Sequence, residues 1–537
     1  MTTLYGLVEN APSHATCLRF GGSDVTYGDL RERVQRVAGG LQNNGLRRGD
    51  TVAVWLPNVA EWLVIVLACA RSGLQVLSIN LRMGPNEIGD FVARTGSKAI
   101  IYCEAHAGKN NGALLASIEH SQLSSLRLAI TLDHVPSVLP HVASIDYDSL
   151  LQGSLGADLA ASQDPCVVFS SSGTTSRPKL IQHSQERVVR QVRAIARTLH
   201  LLEPDAKVYA GVPFCGAFGF TAAFSALAGH CSISLDETFD AERVIDTLDT
   251  HEITNMFGTN DMLERMLDVA GRSWTPRTLR TFSHANFTPG LDALPGRAEQ
   301  QGVKLRGCFG MSETLALFAA QPQDAALDRR AESGGVPTCP LARVRVRDVS
   351  TGELLGIDAE GELEIHTPNL MLGYLGDQEA TVRSITSDGF FKTGDVARLT
   401  EDGGFTHVSR IGDVIRVAGF LVNPLEIEDA AVKFPNLSAC QVVEVTTPQG
   451  SRPVAFVIGR AGYVHDEAAL IAHCKARLAI FKVPVRFFEV TEFPVTSGPN
   501  GTKVRKNELR EEAQIRIAQK WRDETSEPTT LDRTLGG

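Results

Sequence analysis

Apolar positions along this chain follow two rhythms, and the rhythm changes once. Between residues 25 and 105, helix-period and strand-like stretches alternate. Thr26-Tyr27-Gly28-Asp29 opens a helix that runs to about Asn43. A strand over 51–56, a helix over 58–71, a strand over 74–79, a helix over 85–96 and a strand over 98–102 follow. The longest apolar run, Trp62 to Ala70, is bounded by Glu61 and Arg71 and is too short to cross a bilayer. It reads as a core helix. The alternation resumes with a buried strand at Pro165–Phe169, a helix over 185–199 and a strand over 207–212. Helices near 240–250 and 260–270 and strands near 253–257 and 280–283 come next. Strands alternating with helices predict a parallel sheet covered by helices, an α/β class.

Near residue 340 the period becomes two. Arg343–Arg347 and Gly361–His366 alternate strictly, which predicts half-exposed antiparallel strands and a β-rich subdomain. From about 412 a smaller α+β unit is expected, with strands over 413–417, 440–446, 452–459 and 484–490 and helices over 424–433 and 467–479. A charged helix from Lys506 to about Asp523 precedes a Ser/Pro/Thr tail of disordered composition. The expected organisation is a large domain over 1–411, a small mobile domain over 412–510, and a terminal helix and tail over 511–537.

Composition narrows this picture modestly. The 537 residues exceed one core. The net charge of -10 removes any broad electrostatic footprint for nucleic acid. Ten scattered cysteines form no C-x-x-C pair, so reduced, mostly buried thiols in a cytoplasmic protein are expected. The first twenty residues lack the basic and apolar regions of a signal peptide.

Five short segments carry chemistry. Ser171-Ser172-Gly173-Thr174-Thr175-Ser176-Arg177-Pro178-Lys179 follows the strand at 165–169. Its glycine, hydroxyls and lysine suit a polyphosphate, although the Walker A spacing is absent. Phe309-Gly310-Met311-Ser312-Glu313 offers an aromatic face, a turn and a carboxylate for Mg²⁺. Thr393-Gly394-Asp395 presents a carboxylate that could take a ribose diol, or simply an Asx turn. Arg410 to Glu428 is marked by the glycines Gly412 and Gly419. Thr496 to Lys506 is a polar loop presenting Lys503, a pattern that is often only solvated surface.

Taken together and in this order, the five resemble the adenylate-forming superfamily, from about residue 15 to 510. Residues 171–179 resemble its T-S-G-T-T-G-x-P-K signature, 309–313 its Y-G-x-T-E, 393–395 its T-G-D, and 410–428 its hinge segment. Lys503 falls at the catalytic lysine, with Lys506 as the rival position. The resemblance implies a carboxylate–CoA ligase that uses ATP, Mg²⁺ and coenzyme A, forming an acyl-adenylate and then a thioester. It implies catalytic roles for Lys503, Glu313 and Ser312, with Glu313 holding the metal. Nucleotide contacts fall to Ser171, Ser172, Gly173, Thr174, Thr175, Lys179, His284, Ala285, Asn286, Phe309, Gly310, Met311, Ser312, Asp395 and Arg410. Gly412 would be the hinge, Gly419 and Phe420 would line a coenzyme A channel, and a homodimer is a further family expectation.

Several positions depart from the family pattern. Gly412 stands where Asp or Lys is usual, Ser176 where glycine is usual, and Ser312 where threonine is usual. Phe214, Cys215, Gly216, Phe218, Gly219 and His284 fall where relatives build the acid pocket, but Cys215 and Gly216 replace an aromatic and a histidine. His284 and Asn286 put polar groups in a turn that relatives leave plain, which fits either a second substrate carboxylate or a hydrogen-bonded turn beside adenine. A ligase charging an acyl carrier protein and a non-catalytic adenylate-binding protein are the alternative readings.

Overall fold

The computed structural model describes residues 2–526, except 136–137, 140, 171–177, 272–273, 287–290, 292, 412–414, 418–419, 423, 448–449 and 499–500. The terminal tail and the hinge position Gly412 therefore lie outside the described residues.

Local signals set the first helix. The Thr26 side chain accepts from the Asp29 amide, and the Asp29 carboxylate accepts from the Thr26 amide. This reciprocal cap fixes the start of the helix Tyr27–Asn43. The helix Ala60–Arg71 has no polar face between Trp62 and Ala70, and every residue in that stretch is buried. A helix that is apolar all round belongs inside a core. Burying side chains the size of Leu63 or Ile65 contributes about 1.5–3 kcal/mol each.

Two large sheets organise the chain up to residue 408. In one, Pro165–Ser170, Gln75–Ser78, Thr51–Trp55, Ala99–Tyr102, Leu128–Thr131 and Ala143–Asp146 run parallel. Leu180–Ser184 and Gly373–Tyr374 add an antiparallel edge. The other sheet has a parallel part, Ser232–Ser234, Lys207–Ala210, Asn255–Thr259, Thr281–Ala285 and Leu305–Phe309. It continues into antiparallel strands that include Phe405–Arg410, Phe391–Leu399, Glu360–His366 and Arg343–Arg347. Antiparallel pairing in this sheet begins where Leu305–Phe309 meets Ala319–Ala320, and the two-residue period past residue 340 belongs to strands within that antiparallel part.

The sheets meet near the carboxyl ends of their parallel strands. Ser78 Oγ, at the end of its strand, donates to the Cys215 carbonyl at 3.1 Å. Asn58 brackets the neighbouring turn, donating to the Val212 carbonyl at 2.9 Å and accepting from the Phe214 amide at 2.8 Å. In open α/β sheets, ligands bind beyond these carboxyl ends.

The chain divides into two compact units, Met1–Val408 with Ser497–Gly501, and Ser409–Thr496 with Thr502–Gly537. In the second, Leu437–Thr447, Gly450–Gly459 and Phe487–Glu489 form a sheet. The helix Lys506–Ser526 lays Leu509, Ala513 and Ile517 against Val443, Val445, Val454 and Phe456. At its start, Lys506 Nζ lies 2.9 Å from Glu428, a carboxylate that is 1% exposed and also accepts from the Val442 amide. No helix among the described residues is long and apolar enough to cross a membrane. All ten cysteines are unpaired and buried.

Removing one partner of a buried ion pair leaves an uncompensated charge, costing about 3–5 kcal/mol. Glu428→Ala is therefore expected to loosen the second unit by about that amount, and Glu428→Gln by less. The check is amide exchange of the full chain. Unchanged protection across 437–447 and 506–517 would contradict the strut role.

Candidate functional site

The segment Phe309–Leu317 is the most constrained backbone in the site. Phe309 closes a parallel strand, and Ser312–Thr314 forms one 3-10 turn. Gly310 admits no side chain, because a Cβ there would lie 2.5 Å from the Ala316 carbonyl carbon and the Leu317 nitrogen. Leu315, Ala316 and Leu317 all have positive φ, at 61°, 46° and 41°. Three consecutive L residues in this region cost roughly 3–6 kcal/mol.

Neighbouring elements hold the strained turn. Thr221 Oγ1 donates to the Leu315 carbonyl at 2.7 Å. Gln191 Nε2 and Thr338 Oγ1 donate to the Leu317 carbonyl at 3.3 and 3.1 Å. His183 Nε2 donates to the Ser312 carbonyl at 2.8 Å, and the Met371 amide to the Glu313 carbonyl at 2.8 Å. The Tyr374 hydroxyl donates to Glu313 Oε1 at 3.0 Å, while Lys179 Nζ lies 4.2 Å from the centre of the Tyr374 ring. The structure thus brings Lys179, Ser312 and Glu313 to one neighbourhood.

The aromatic and acidic segments also converge. The Phe309 ring lies 5.1 Å from Phe405 and 5.3 Å from His407. His407 Nε2 lies 3.4 Å from Asp395 Oδ1, and Asp395 is 2% exposed on the strand Phe391–Leu399. Thr393 Oγ1 accepts from the Asp395 amide, bending the chain at Thr393–Asp395.

Ala285 ends the strand beside Phe309's, and His284 and Asn286 flank it. Asn286 Nδ2 donates to the Ala331 carbonyl at 3.2 Å, so its Oδ1 faces His284 Nδ1 at 3.0 Å and Nδ1 carries the proton. Burial pushes the His284 imidazole down to about 4, and that of His183 likewise. A neutral His284 already bonded within its own turn fits the hydrogen-bonded turn rather than a second-carboxylate receptor. Among the described residues, His183 Nδ1 and His284 Nε2 have no hydrogen-bond partner.

The 213–219 segment is largely packing. Phe214 is fully buried with its ring 5.4 Å from Trp62, so it is a core residue rather than an open pocket wall. Gly219 abuts the Pro213 carbonyl, where a Cβ would approach to 2.2 Å. Cys215 is 7% exposed, and burial pushes its thiol up to about 12. Phe218 packs edge-on to Phe257 at 6.5 Å, and Gly216 caps the helix Ala217–Ala228.

Ser171, Ser172, Gly173, Thr174, Thr175 and Ser176 lie outside the described residues, as do Gly412 and Gly419. Arg410 ends the strand Phe405–Arg410 and is exposed. Phe420 sits on the strand Phe420–Val422 and Lys503 on Gly501–Val504, described in backbone only. Sequence reasoning missed His183, Thr221, Tyr374 and His407. Only Tyr374 carried a cue, as an aromatic after a glycine bounded by turn residues.

The chain matches the AMP-binding enzyme family over residues 7–375 and the AMP-binding enzyme C-terminal domain over 426–498. It is 30% identical over 506 residues to a feruloyl-CoA synthase of Amycolatopsis sp, covering 93% of this chain and 96% of the relative. It is 27% identical to a 2-succinylbenzoate–CoA ligase of Listeria innocua, covering 92% and 96%. Among solved structures, ATP-bound MatB from Rhodopseudomonas palustris superposes with a TM-score of 0.81 at 25% identity, covering 95% and 98%. The chain belongs to the AMP-binding enzyme family. It is an acid–thiol ligase of the AMP-forming kind.

The two buried imidazoles impose a pH dependence on stability. Their unfolded values lie near 6.5 and their folded values near 4, so between these limits the unfolded chain binds protons that the folded chain does not. Stability is full above about pH 6.5 and falls as pH drops towards 4, by up to about 3 kcal/mol per histidine. A His183→Gln/His284→Gln protein is expected to show a shallower loss in urea titrations across that window. An equal slope would mean that carboxylates, not these imidazoles, set the acid limb.

Proposed function

We propose that this ligase activates a carboxylic acid with Mg-ATP and passes the acyl group to the thiol of coenzyme A. The observation that carries this reading is the convergence of Lys179, Ser312 and Glu313 on one turn, with Phe309, Asp395 and His407 grouped where that turn begins. A base-facing aromatic, a diol-accepting carboxylate and a phosphate-side cation are the three contacts a nucleotide triphosphate needs. The relatives' named activities on feruloyl and succinylbenzoyl acids support coenzyme A as the acceptor over a carrier protein.

Glu313 fits the magnesium ion by the chemistry of its donor. It is a half-buried hard-oxygen carboxylate on a rigid turn, on the same side as Lys179. The ion, when bound, neutralises charge on the phosphates. Asp395 takes the ribose hydroxyls, and Phe309 lies against the base. The 171–179 loop grips the β- and γ-phosphates. In the first step the substrate carboxylate oxygen attacks the α-phosphorus, and the bond to pyrophosphate breaks. In the second the coenzyme A thiol, losing its proton, attacks the acyl carbon and expels AMP.

We assign the charge-neutralising lysine of the first step to Lys503. Lys506 is committed to Glu428 at 2.9 Å and is poorly placed to leave a buried partner. The small domain rotates about Gly412 between steps, and Gly419 and Phe420 line the thiol's approach. The acid pocket is built from Cys215, Gly216, Phe218 and neighbouring apolar residues. The free thiols suit a cytoplasmic setting.

Lys503→Ala is expected to cut acid-dependent ATP–pyrophosphate exchange by at least about 100-fold. Thioester formation from preformed acyl-adenylate should persist. Equal damage to both would move the catalytic role elsewhere. Exchange across a panel of aromatic, aliphatic and dicarboxylic acids tests the reaction itself, and silence across the panel would favour a non-catalytic adenylate-binding protein.

A further inference from the structure

We propose that Tyr374 is a positioning residue of the adenylation step, setting the carboxylate of Glu313 for the metal and seating Lys179 beside it. This inference rests on the proposed metal role of Glu313. Tyr374 joins the two in space although they are far apart in sequence. Its hydroxyl donates to Glu313 Oε1 at 3.0 Å, and the Lys179 ammonium sits 4.2 Å from its ring centre. A cation at that distance is attracted to the ring face.

The tyrosine is itself rigidly placed. Its amide donates to Thr381 Oγ1 at 2.9 Å, and it lies in register with Ile181 on the strand that begins directly after Lys179. The Leu375 amide donates to the Leu180 carbonyl at 2.7 Å. The ring packs among Ile181, Met371 and Phe391, and the residue is 6% exposed. Arg187 clamps the preceding carbonyls of Leu370 and Met371 at 2.6 Å each. A short edge strand therefore delivers one phenol to the gap between the phosphate-side lysine and the carboxylate.

The hydroxyl acts on Glu313 through geometry: by engaging one oxygen it fixes the rotation of the carboxylate. Losing it leaves the carboxylate free to rotate, which weakens metal capture without removing the ligand. The same phenol ring limits where the Lys179 ammonium can rest, so one residue sets two of the charges that meet the polyphosphate.

The test is calorimetric titration of ATP into the full-length protein at stepped Mg²⁺ concentrations, with wild type, Tyr374→Phe and Glu313→Gln. Tyr374→Phe keeps the ring and removes only the hydroxyl. The Mg²⁺ concentration giving half-maximal ATP binding is expected to rise roughly tenfold, and the apparent KM for Mg²⁺ in pyrophosphate exchange to rise in parallel. The rate at saturating Mg²⁺ should recover, and thioester formation from preformed acyl-adenylate should be unchanged. An unchanged Mg²⁺ requirement in Tyr374→Phe, with a raised one in Glu313→Gln, would overturn the tyrosine's role alone. An unchanged requirement in Glu313→Gln would instead overturn the metal assignment beneath it. Equal losses in both half-reactions would reduce Tyr374 to packing and also overturn the proposal.

Discussion

The site depends on one piece of backbone, the turn from Phe309 to Leu317. Gly310 lies so close to Ala316 and Leu317 that no other residue fits, and the three residues that follow Thr314 all take left-handed conformations. Such a run does not persist by its own preference. It persists because Thr221, Gln191, Thr338 and His183, and the Met371 amide, each satisfy one of its carbonyls. Each such bond contributes about 0.5–1.5 kcal/mol net, and an unsatisfied buried carbonyl would cost more. The strain and the bonds are of similar size, so the turn is held in place by its surroundings. Ser312 and Glu313 lie inside it, and their placement is thereby inherited from the core helices Gln185–Thr198 and Ala217–Ala228.

Charge is placed with the same economy. The chain is acidic overall, yet among the described residues a lysine and a carboxylate meet through one phenol where the polyphosphate is proposed to lie. The imidazoles of His183 and His284 are kept neutral by burial rather than used as cations. His183 serves the backbone of Ser312, and His284 serves its own turn through Asn286. A fixed positive charge is needed where two anions approach each other, and a titrating one would make that approach pH-dependent near neutrality.

Much of the fold was legible because it is locally encoded. The cap at Thr26–Asp29, the fully apolar Trp62–Ala70 and the two-residue period at Arg343–Arg347 each announce their element, and the structure places all three accordingly. Short spans such as Leu180–Ser184 and Gly373–Tyr374 were not legible, because an edge strand of two to five residues has too few positions to show a period. The site divides in the same way. Glu313, Asp395 and Phe309 sit in motifs whose residue types match the chemistry proposed for them. Thr221 is an ordinary small residue within an apolar helix, and its hydroxyl matters only because Leu315, distant in sequence, comes to rest beside it. His407 reads as a half-exposed strand residue until Phe309 and Asp395 are placed on either side of it.

The acid-binding end shows where motif reading and packing part company. Position alone assigns Phe214 and Gly219 to the pocket, but Phe214 fills the core against Trp62 and Gly219 makes room for the Pro213 carbonyl. In the polar pair at 284 and 286, His284 Nδ1 bonds to Asn286 Oδ1 and Asn286 Nδ2 to the Ala331 carbonyl, which leaves only the acceptor nitrogen of a neutral imidazole. Among the described residues of the proposed pocket, those left to face an acid are small or apolar: Cys215 with an un-ionised thiol, Gly216 without a side chain, and Phe218 against Phe257. A wall of that kind discriminates by shape and excluded volume, where one methylene is worth only about 1–3 kcal/mol. On the proposed pocket, tolerance of several related acids would follow, and the stringent part of recognition would fall on the carboxylate and the nucleotide, where the rigid turn is proposed to act.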